Sequence, residues 1–123
     1  MIQCLVINSH INLRVKGAKM KLTVREIMKI LPGKWDEAIE LSKKRIEGAK
    51  RLGSPPFKFY RSMGGQGEWS NTIILERQWD SFAAWETFFD KAVKDEKLKK
   101  EFIEKWQNIT ESHNFEYYTP LEL

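Results

Sequence analysis

His113 and Arg25 carry the side chains that could most directly do chemistry in this sequence. A histidine gains or loses its charge near neutral pH, so His113 could shuttle a proton. No acid stands at a fixed spacing from His113, and a structural role is the alternative. Arg25 could orient an anionic or carbonyl group of a ligand. The alternative for Arg25 is an ion pair with Glu76 on a neighbouring strand.

Residue types that build metal and cofactor sites are scarce. The chain contains one cysteine and two histidines, which excludes a disulfide framework and leaves no Cys or His ligand set for a metal. The glycine-rich segment 64–67 lacks the lysine and the following helix of a phosphate-binding loop, so we expect a hairpin turn there. The sequence therefore predicts neither a metal nor a cofactor.

Length and composition indicate one globular domain. The 123 residues are 41% hydrophobic and 31% charged, and no apolar run approaches the ~20 residues of a membrane span. Much of the net charge of +4 comes from Arg14, Lys16 and Lys19, because from Met20 onward the net charge is +1. This balance predicts neither a nucleic-acid nor a membrane partner.

Residues 1–19 differ from the segment that follows them. Their apolar residues come first and their basic residues last, the reverse of a secretion signal, so we predict a cytoplasmic protein. We interpret residues 1–19 as an N-terminal extension, with Met20 as a candidate natural start, and residues 20–123 as one domain. The alternative is an extra strand within residues 1–19 that serves edge pairing or dimer contact.

Hydrophobic periodicity predicts the elements of this domain. Alternation over residues 21–31 predicts a strand that ends at Pro32-Gly33, with one apolar face formed by Leu22, Val24, Met28 and Ile30. A helix over residues 34–52 follows, with its apolar stripe at Trp35, Ala38, Ile39, Ser42, Ile46 and Ala49. The remaining predicted elements are a hairpin of strands 57–63 and 68–79, a helix capped by Asp80-Ser81, a helical stretch over 95–109 and a strand over 113–119.

This order, β-α-β-β-α-β, predicts an α+β ferredoxin-like fold: a four-stranded antiparallel sheet with its helices on one face. The other face of the sheet would mix apolar and polar side chains, which are Arg25, Ile27, Tyr60, Thr72, Ile74 and Tyr118. Such a face is too apolar for open solvent, and a second subunit commonly covers it. We therefore expect a homodimer.

Three segments resemble NIPSNAP-type domains. VREIMKILPGKWDEAIEL resembles their opening strand, Pro-Gly turn and helix, while ILERQWDSFAAWETFF and DEKLKKEFIEKW are similar to their later strand and helix pair. The resemblance covers residues 20–123 and implies the dimeric α/β-barrel superfamily, which includes antibiotic-biosynthesis-type monooxygenases. One departure is the spacing from Arg25 to the Pro-Gly turn, which is one residue longer here, so Glu26 could occupy the family's arginine position.

Haem degradation, an activity of some superfamily members, fits the residues poorly. Trp79 resembles the tryptophan that these members use. These members also use an asparagine on the first strand and a histidine on the helix that follows the tryptophan. Here residues 21–31 contain no asparagine, and no histidine lies between Trp79 and Ile109. We therefore interpret Trp79 as a core anchor where a strand meets a helix.

The resemblance implies a small-molecule-binding domain. Its reaction would be cofactor-independent oxygenation or isomerisation of a small apolar or aromatic substrate in the barrel lumen, the space between the two sheets of a dimer. Available polar groups include Asn71 and Arg77, and the six residues that we expect to bind the ligand are Arg25, Tyr60, Thr72, Glu76, His113 and Tyr118. The alternative is a non-enzymatic protein-interaction module, and the sequence leaves open whether the chain is an enzyme. A closed pocket with a polar end in the lumen would favour a ligand, whereas a lumen filled with its own side chains would favour a structural or interaction protein.

Overall fold

The predicted order of elements is confirmed in a computed structural model of the chain, which describes residues 21–64 and 71–123. The strands are β1 (Leu22–Ile30), β2 (Lys58–Arg61), β3 (Thr72–Trp79) and β4 (Thr110–Tyr118), and helices α1 (Trp35–Arg51) and α2 (Phe82–Lys94) lie between them. A final helical stretch is interrupted: it consists of α3 (Glu96–Leu98), a π-helical turn (Lys99–Ile103) and α4 (Glu104–Ile109).

The four strands form one antiparallel sheet in the order β2-β3-β1-β4. The two central strands, β1 and β3, are neighbours, and β1 also pairs with β4. This topology, with the helices packed on one face, confirms the ferredoxin-like α+β fold. The alternation predicted for β1 is also confirmed, because Leu22, Val24, Met28 and Ile30 are buried on the helix side.

The core lies between the sheet and the helices and is rich in aromatic rings. Trp85 of α2 is fully buried and packs against Phe82, Phe89 and Tyr117 at ring-centroid distances of 5.4–5.6 Å. Burying side chains of this size stabilises the fold by about 1.5–3 kcal/mol each. Trp79 is buried at the end of β3, as expected for a core anchor.

The buried stripe of α1 differs from the predicted one. Ile39 is 37% exposed, whereas Leu41, absent from the predicted stripe, is 7% exposed. The stripe that faces the sheet runs through Ala38, Leu41 and Ala49 and includes Arg45, whose side chain is 13% exposed. Ala38, Ser42 and Ala49 of the predicted stripe are thus confirmed as buried, whereas the prediction omitted Leu41 and Arg45.

Specific side chains and glycines set the ends of the helices. Ser81 caps α2 by accepting a hydrogen bond from the backbone N–H of Ala84 at 3.1 Å, as predicted. Gly53 ends α1 in a left-handed conformation (φ +88°) that side-chain-bearing residues rarely adopt. The last strand begins at Thr110 rather than at 113, because β4 follows α4 without a loop.

Several predictions fall on residues outside the described parts of the chain. These are the N-terminal extension 1–19, the start of the predicted strand at 68–70 and most of the turn at 64–67. In residues 21–64 and 71–123, no helix combines the length and apolar character that a membrane crossing requires.

Candidate functional site

A cluster of four ionisable side chains lies on the helix side of the sheet. Both oxygens of the Glu26 carboxylate are 2.7 Å from Arg45 Nη2, Oε2 is 2.9 Å from Arg77 Nη2 and Oε1 is 2.8 Å from His113 Nε2. We call these residues the Glu26 cluster. They come from β1, α1, β3 and β4, so every layer of the fold contributes.

The register of the sheet brings the three strand residues together. On the helix side of β1, Glu26 stands between Val24 and Met28. Arg77 of β3 is directly opposite Val24, and His113 of β4 is directly opposite Met28. Arg77 and His113 are therefore diagonal neighbours of Glu26 on the same face, within reach of long side chains. Arg45 completes the cluster from the buried stripe of α1.

The two guanidinium groups keep Glu26 ionised. Its side chain is 1% exposed, and burial opposes ionisation. The charge of Arg45, the hydrogen bond with His113 and the charge of Arg77 outweigh burial and hold the pKa of Glu26 well below its usual range. Burial also lowers the pKa of Arg77 to about 10, and the neighbouring charge of Arg45 adds to this effect.

His113 is oriented by two contacts. Its ring stacks on Phe115 at a centroid distance of 4.9 Å and an interplanar angle of 6°, and Nε2 bonds to Glu26. With Glu26 ionised, Nε2–H is the donor of this bond and Nδ1 is the proton acceptor of the neutral ring. A histidine held by a carboxylate in this way is suited to general-base chemistry.

A small, partly open cavity adjoins the cluster. It has a volume of about 40 Å³ and lies between the sheet and the helices. Arg45, Arg77 and His113 form its polar end, and the rest of its lining is apolar, consisting of Ala49, Phe88, Phe89, Ala92, Leu98, Phe102 and Ile103. A polar end beside an apolar lining suits a ligand, but this cavity is on the helix side of the sheet and therefore does not test the lumen.

Part of the apolar lining belongs to the π-helical turn. The backbone N–H of Glu104 donates to the carbonyl of Lys99, five residues back, and Phe102 and Ile103 lie between them. Single π-helical turns inside α-helices are rare, and those that occur are often found at functional sites. Here the turn places an aromatic ring over the Arg45 guanidinium, 5.3 Å from the ring centroid.

Arg25 and Glu76 lie on the opposite, open face of the sheet and form the predicted cross-strand ion pair. Arg25 Nε donates to Glu76 Oε1 at 2.8 Å, and this hydrogen bond raises the pKa of Arg25. The guanidinium also lies 5.2 Å from the Tyr118 ring centroid. The Tyr118 hydroxyl donates to Glu116, and this bond raises the pKa of Tyr118.

The six predicted ligand-binding residues do not share one surface. The register places Arg25, Tyr60, Thr72, Glu76 and Tyr118 on the open face, whereas His113 lies on the helix side. The sheet therefore separates His113 from the other five.

The sequence analysis left Glu26 and Arg45 out of the candidate site and named Arg77 without selecting it. Two signals could have found them. Glu26 interrupts the apolar face of β1, and Arg45 stands four residues after Leu41 on the buried stripe of α1. A charge on an apolar face requires a buried partner. No group of three or more His, Cys, Asp or Glu residues suited to a metal occurs in the parts of the chain that the structure describes.

No protein-family model matches the chain, and no curated protein matches it significantly. Solved structures match well. A NIPSNAP family protein from Agrobacterium tumefaciens aligns with a TM-score of 0.70 at 18% identity, covering 84% of this chain and 88% of that one. An uncharacterised NIPSNAP-like domain protein from Burkholderia xenovorans aligns with a TM-score of 0.71 at 8% identity, covering 84% and 87%.

A third structural neighbour is SnoaB, a cofactor-independent oxygenase from Streptomyces nogalater. It aligns with a TM-score of 0.62 at 9% identity, covering 84% of this chain and 95% of SnoaB. Identities this low define the fold and no more. The NIPSNAP resemblance is thus confirmed at the level of the fold, which antibiotic-biosynthesis-type monooxygenases share.

Proposed function

We propose that this NIPSNAP-like chain binds a small molecule between its sheet and its helices, at the Glu26 cluster. The observation that carries this proposal is the juxtaposition of a buried acid–base cluster with a phenylalanine-lined cavity. Small-molecule sites typically combine an apolar lining with a few convergent polar groups and ionisable groups of shifted pKa. This places the site on the opposite side of the sheet from the predicted lumen.

Charge indicates the kind of ligand. Arg45 and Arg77 together carry two positive charges, and Glu26 supplies one negative charge. The surplus of one positive charge beside an apolar cavity favours a ligand with an anionic or carbonyl oxygen on an apolar or aromatic body.

The reaction that these groups support is proton abstraction from a carbon next to a carbonyl. His113 accepts the proton at Nδ1, Glu26 stabilises the resulting imidazolium and an arginine stabilises the enolate oxygen. Return of the proton to another carbon is isomerisation, and electron transfer from the enolate to dioxygen begins oxygenation. The fold similarity to a cofactor-independent oxygenase supports the second outcome.

Two measurements test this proposal. Native mass spectrometry of the chain purified from its own cells should show a bound small molecule that is lost on denaturation. In deuterated buffer, the chain should accelerate hydrogen–deuterium exchange at the acidic carbon of β-tetralone, and His113→Gln should abolish the acceleration. A bare polypeptide, together with exchange that is the same with and without the chain, would overturn the proposal.

We also propose that a second copy of the chain covers the open face. Ile27 and Ile74 are partly buried there, and Tyr60 and Tyr118 are about half exposed. In such a dimer the five open-face residues of the predicted site would line the lumen, and their role as a second ligand site stays a prediction. The cytoplasmic location also stays a prediction.

A non-enzymatic interaction module is the second candidate, because the cavity is small and both Glu26 oxygens already have partners. A cavity of about 40 Å³ must expand before it accepts an organic molecule. Under this hypothesis the Glu26 cluster is structural, and His113→Gln changes stability without changing any exchange reaction.

A further inference from the structure

A surface groove lies at the end of the sheet where β3 leads into α2. Its volume is about 640 Å³. The loop after α1 forms one wall, the end of β3 forms the floor and α2 forms the other wall; the residues that matter below are Ser54, Trp79, Phe88 and Lys91. We call it the Trp79 groove.

A single layer of side chains separates this groove from the Glu26 cluster. Phe88 lines both the groove and the inner cavity. Ser54 lines the groove and accepts a hydrogen bond from Arg77 Nη1 at 3.1 Å. Arg77 therefore connects the groove wall to Glu26, which it contacts through Nη2.

Two buried N–H donors in this layer lack an acceptor. Neither Arg77 Nε nor Trp79 Nε1 has a hydrogen-bond partner in the described part of the chain, and both residues are 5% exposed. A buried donor without an acceptor costs about 1–3 kcal/mol, and more if it is charged. A ligand oxygen that accepts these bonds would recover that free energy on binding.

The electrostatics of the groove also favour an anion. Lys91 adds a positive charge on the α2 wall. The acid in the lining, Asp80, is bonded to Lys21 at 3.0 Å. The Arg77 guanidinium lies behind the wall, 5.3 Å from the Phe88 ring and 5.1 Å from the Trp79 ring.

We propose that the Trp79 groove binds small carboxylic acids with an aromatic or alkyl body and forms the entrance to the Glu26 cluster. In the groove the carboxylate pairs with Lys91, and the apolar body packs on Phe88. Displacement of the Phe88 ring then opens the way to the inner cavity and lets the carboxylate accept from the buried Trp79 Nε1 and Arg77 Nε. This inference rests on the proposed function and narrows its ligand class to carboxylates.

The test uses hydrocinnamate and its uncharged analogue hydrocinnamamide as probes of the full-length, ¹⁵N-labelled chain. The chain has five tryptophans, and Trp79→Phe identifies the Trp79 indole N–H signal. Hydrocinnamate should shift this signal saturably and should bind more tightly than the amide. Trp79→Phe should weaken hydrocinnamate binding about tenfold, the effect of losing one charge-assisted hydrogen bond.

Trp106→Phe is the matched control. Trp106 is 3% exposed and its Nε1 likewise lacks a partner among the described residues, but it stacks on Phe102 and does not line the groove. Trp106→Phe should leave hydrocinnamate binding unchanged. If Trp79→Phe proves unfolded, Lys91→Glu at the exposed wall should weaken hydrocinnamate binding severalfold and leave amide binding unaltered.

Absence of saturable binding, equal affinity for acid and amide, or equal effects of Trp79→Phe and Trp106→Phe would each overturn the groove proposal. The β-tetralone exchange reaction separates this failure from failure of the proposed function. Suppose that β-tetralone exchange depends on His113 but hydrocinnamate does not bind. That result contradicts the proposal for the Trp79 groove and leaves the Glu26 cluster as the reactive site.

Discussion

Glu26 Oε1 and His113 Nε2 lie 2.8 Å apart on the buried face of the sheet, although 87 positions separate the two residues in the chain. One residue is in the first strand and the other in the last, and these strands are neighbours. The pair therefore forms only when the whole sheet has assembled. It supplies the acidic partner that His113 lacks in the sequence.

Glu26→Gln should destabilise the fold by about 3–5 kcal/mol, because it leaves the buried guanidiniums of Arg45 and Arg77 without a counter-charge. Urea unfolding followed by circular dichroism measures the change. Glu76→Gln is the matched control, since its partner Arg25 is 46% exposed. The control should cost about 1 kcal/mol or less, and equal losses in the two variants would contradict the prediction.

Stability should fall in acid because of Glu26. Its pKa is lowered in the folded chain, whereas an unfolded glutamate titrates near 4.3. The unfolded state therefore binds more protons below about pH 4.3, so stabilisation present above that pH is lost as the pH falls toward the folded-state pKa. The difference in unfolding free energy between the wild type and Glu26→Gln should therefore become smaller as the pH falls below about 4.3. A difference that stays constant with pH would refute the attribution of this acid sensitivity to Glu26.

Arg25→Ala should lower the unfolding free energy by about 0.2–1 kcal/mol, the range for a solvent-screened cross-strand pair. Thermal denaturation measures this loss. The other possible role of Arg25 is to orient a ligand. Affinity for the molecule recovered by native mass spectrometry, measured on the same variant, tests that role. A loss of affinity of about 1–3 kcal/mol would show that Arg25 orients a ligand.

The chain should form a homodimer at micromolar concentration. The open face of the sheet carries half-buried Ile27 and Ile74, and helices cover only the other face among the described elements. Analytical ultracentrifugation distinguishes one copy from two. A monomer that persists at the highest soluble concentration would contradict the prediction, and Ile74→Lys should shift a true dimer toward monomer.

Deletion of residues 1–19 should leave a folded protein, because all four strands of the described sheet begin after Met20. The truncated chain should keep a cooperative thermal transition. Loss of that transition would mean that residues 1–19 contribute an integral strand.

Local patterns in the sequence determined the order of the elements and the two faces of the strands. Alternation over β1 and the breaker Pro32-Gly33 act over a few residues, so the strand and its end follow from neighbouring residues. The pairing of Arg25 with Glu76 also followed, because the fold places the first and third strands side by side. The stripe of α1 was predicted only in part: Ala38, Ser42 and Ala49 are buried as expected, but the prediction omitted Leu41 and the charged Arg45.

The tertiary structure decided where the chemistry lies. Alternation assigns His113 to a face of its own strand but does not relate that face to β1. The register of β4 against β1 makes that connection and sets His113 beside Glu26 rather than beside Arg25. Register depends on contacts between residues far apart in the chain, and a shift by one residue would reverse the face of every side chain in β4. The Glu26 cluster is therefore a property of the assembled sheet and helices, and no spacing within the sequence specifies it.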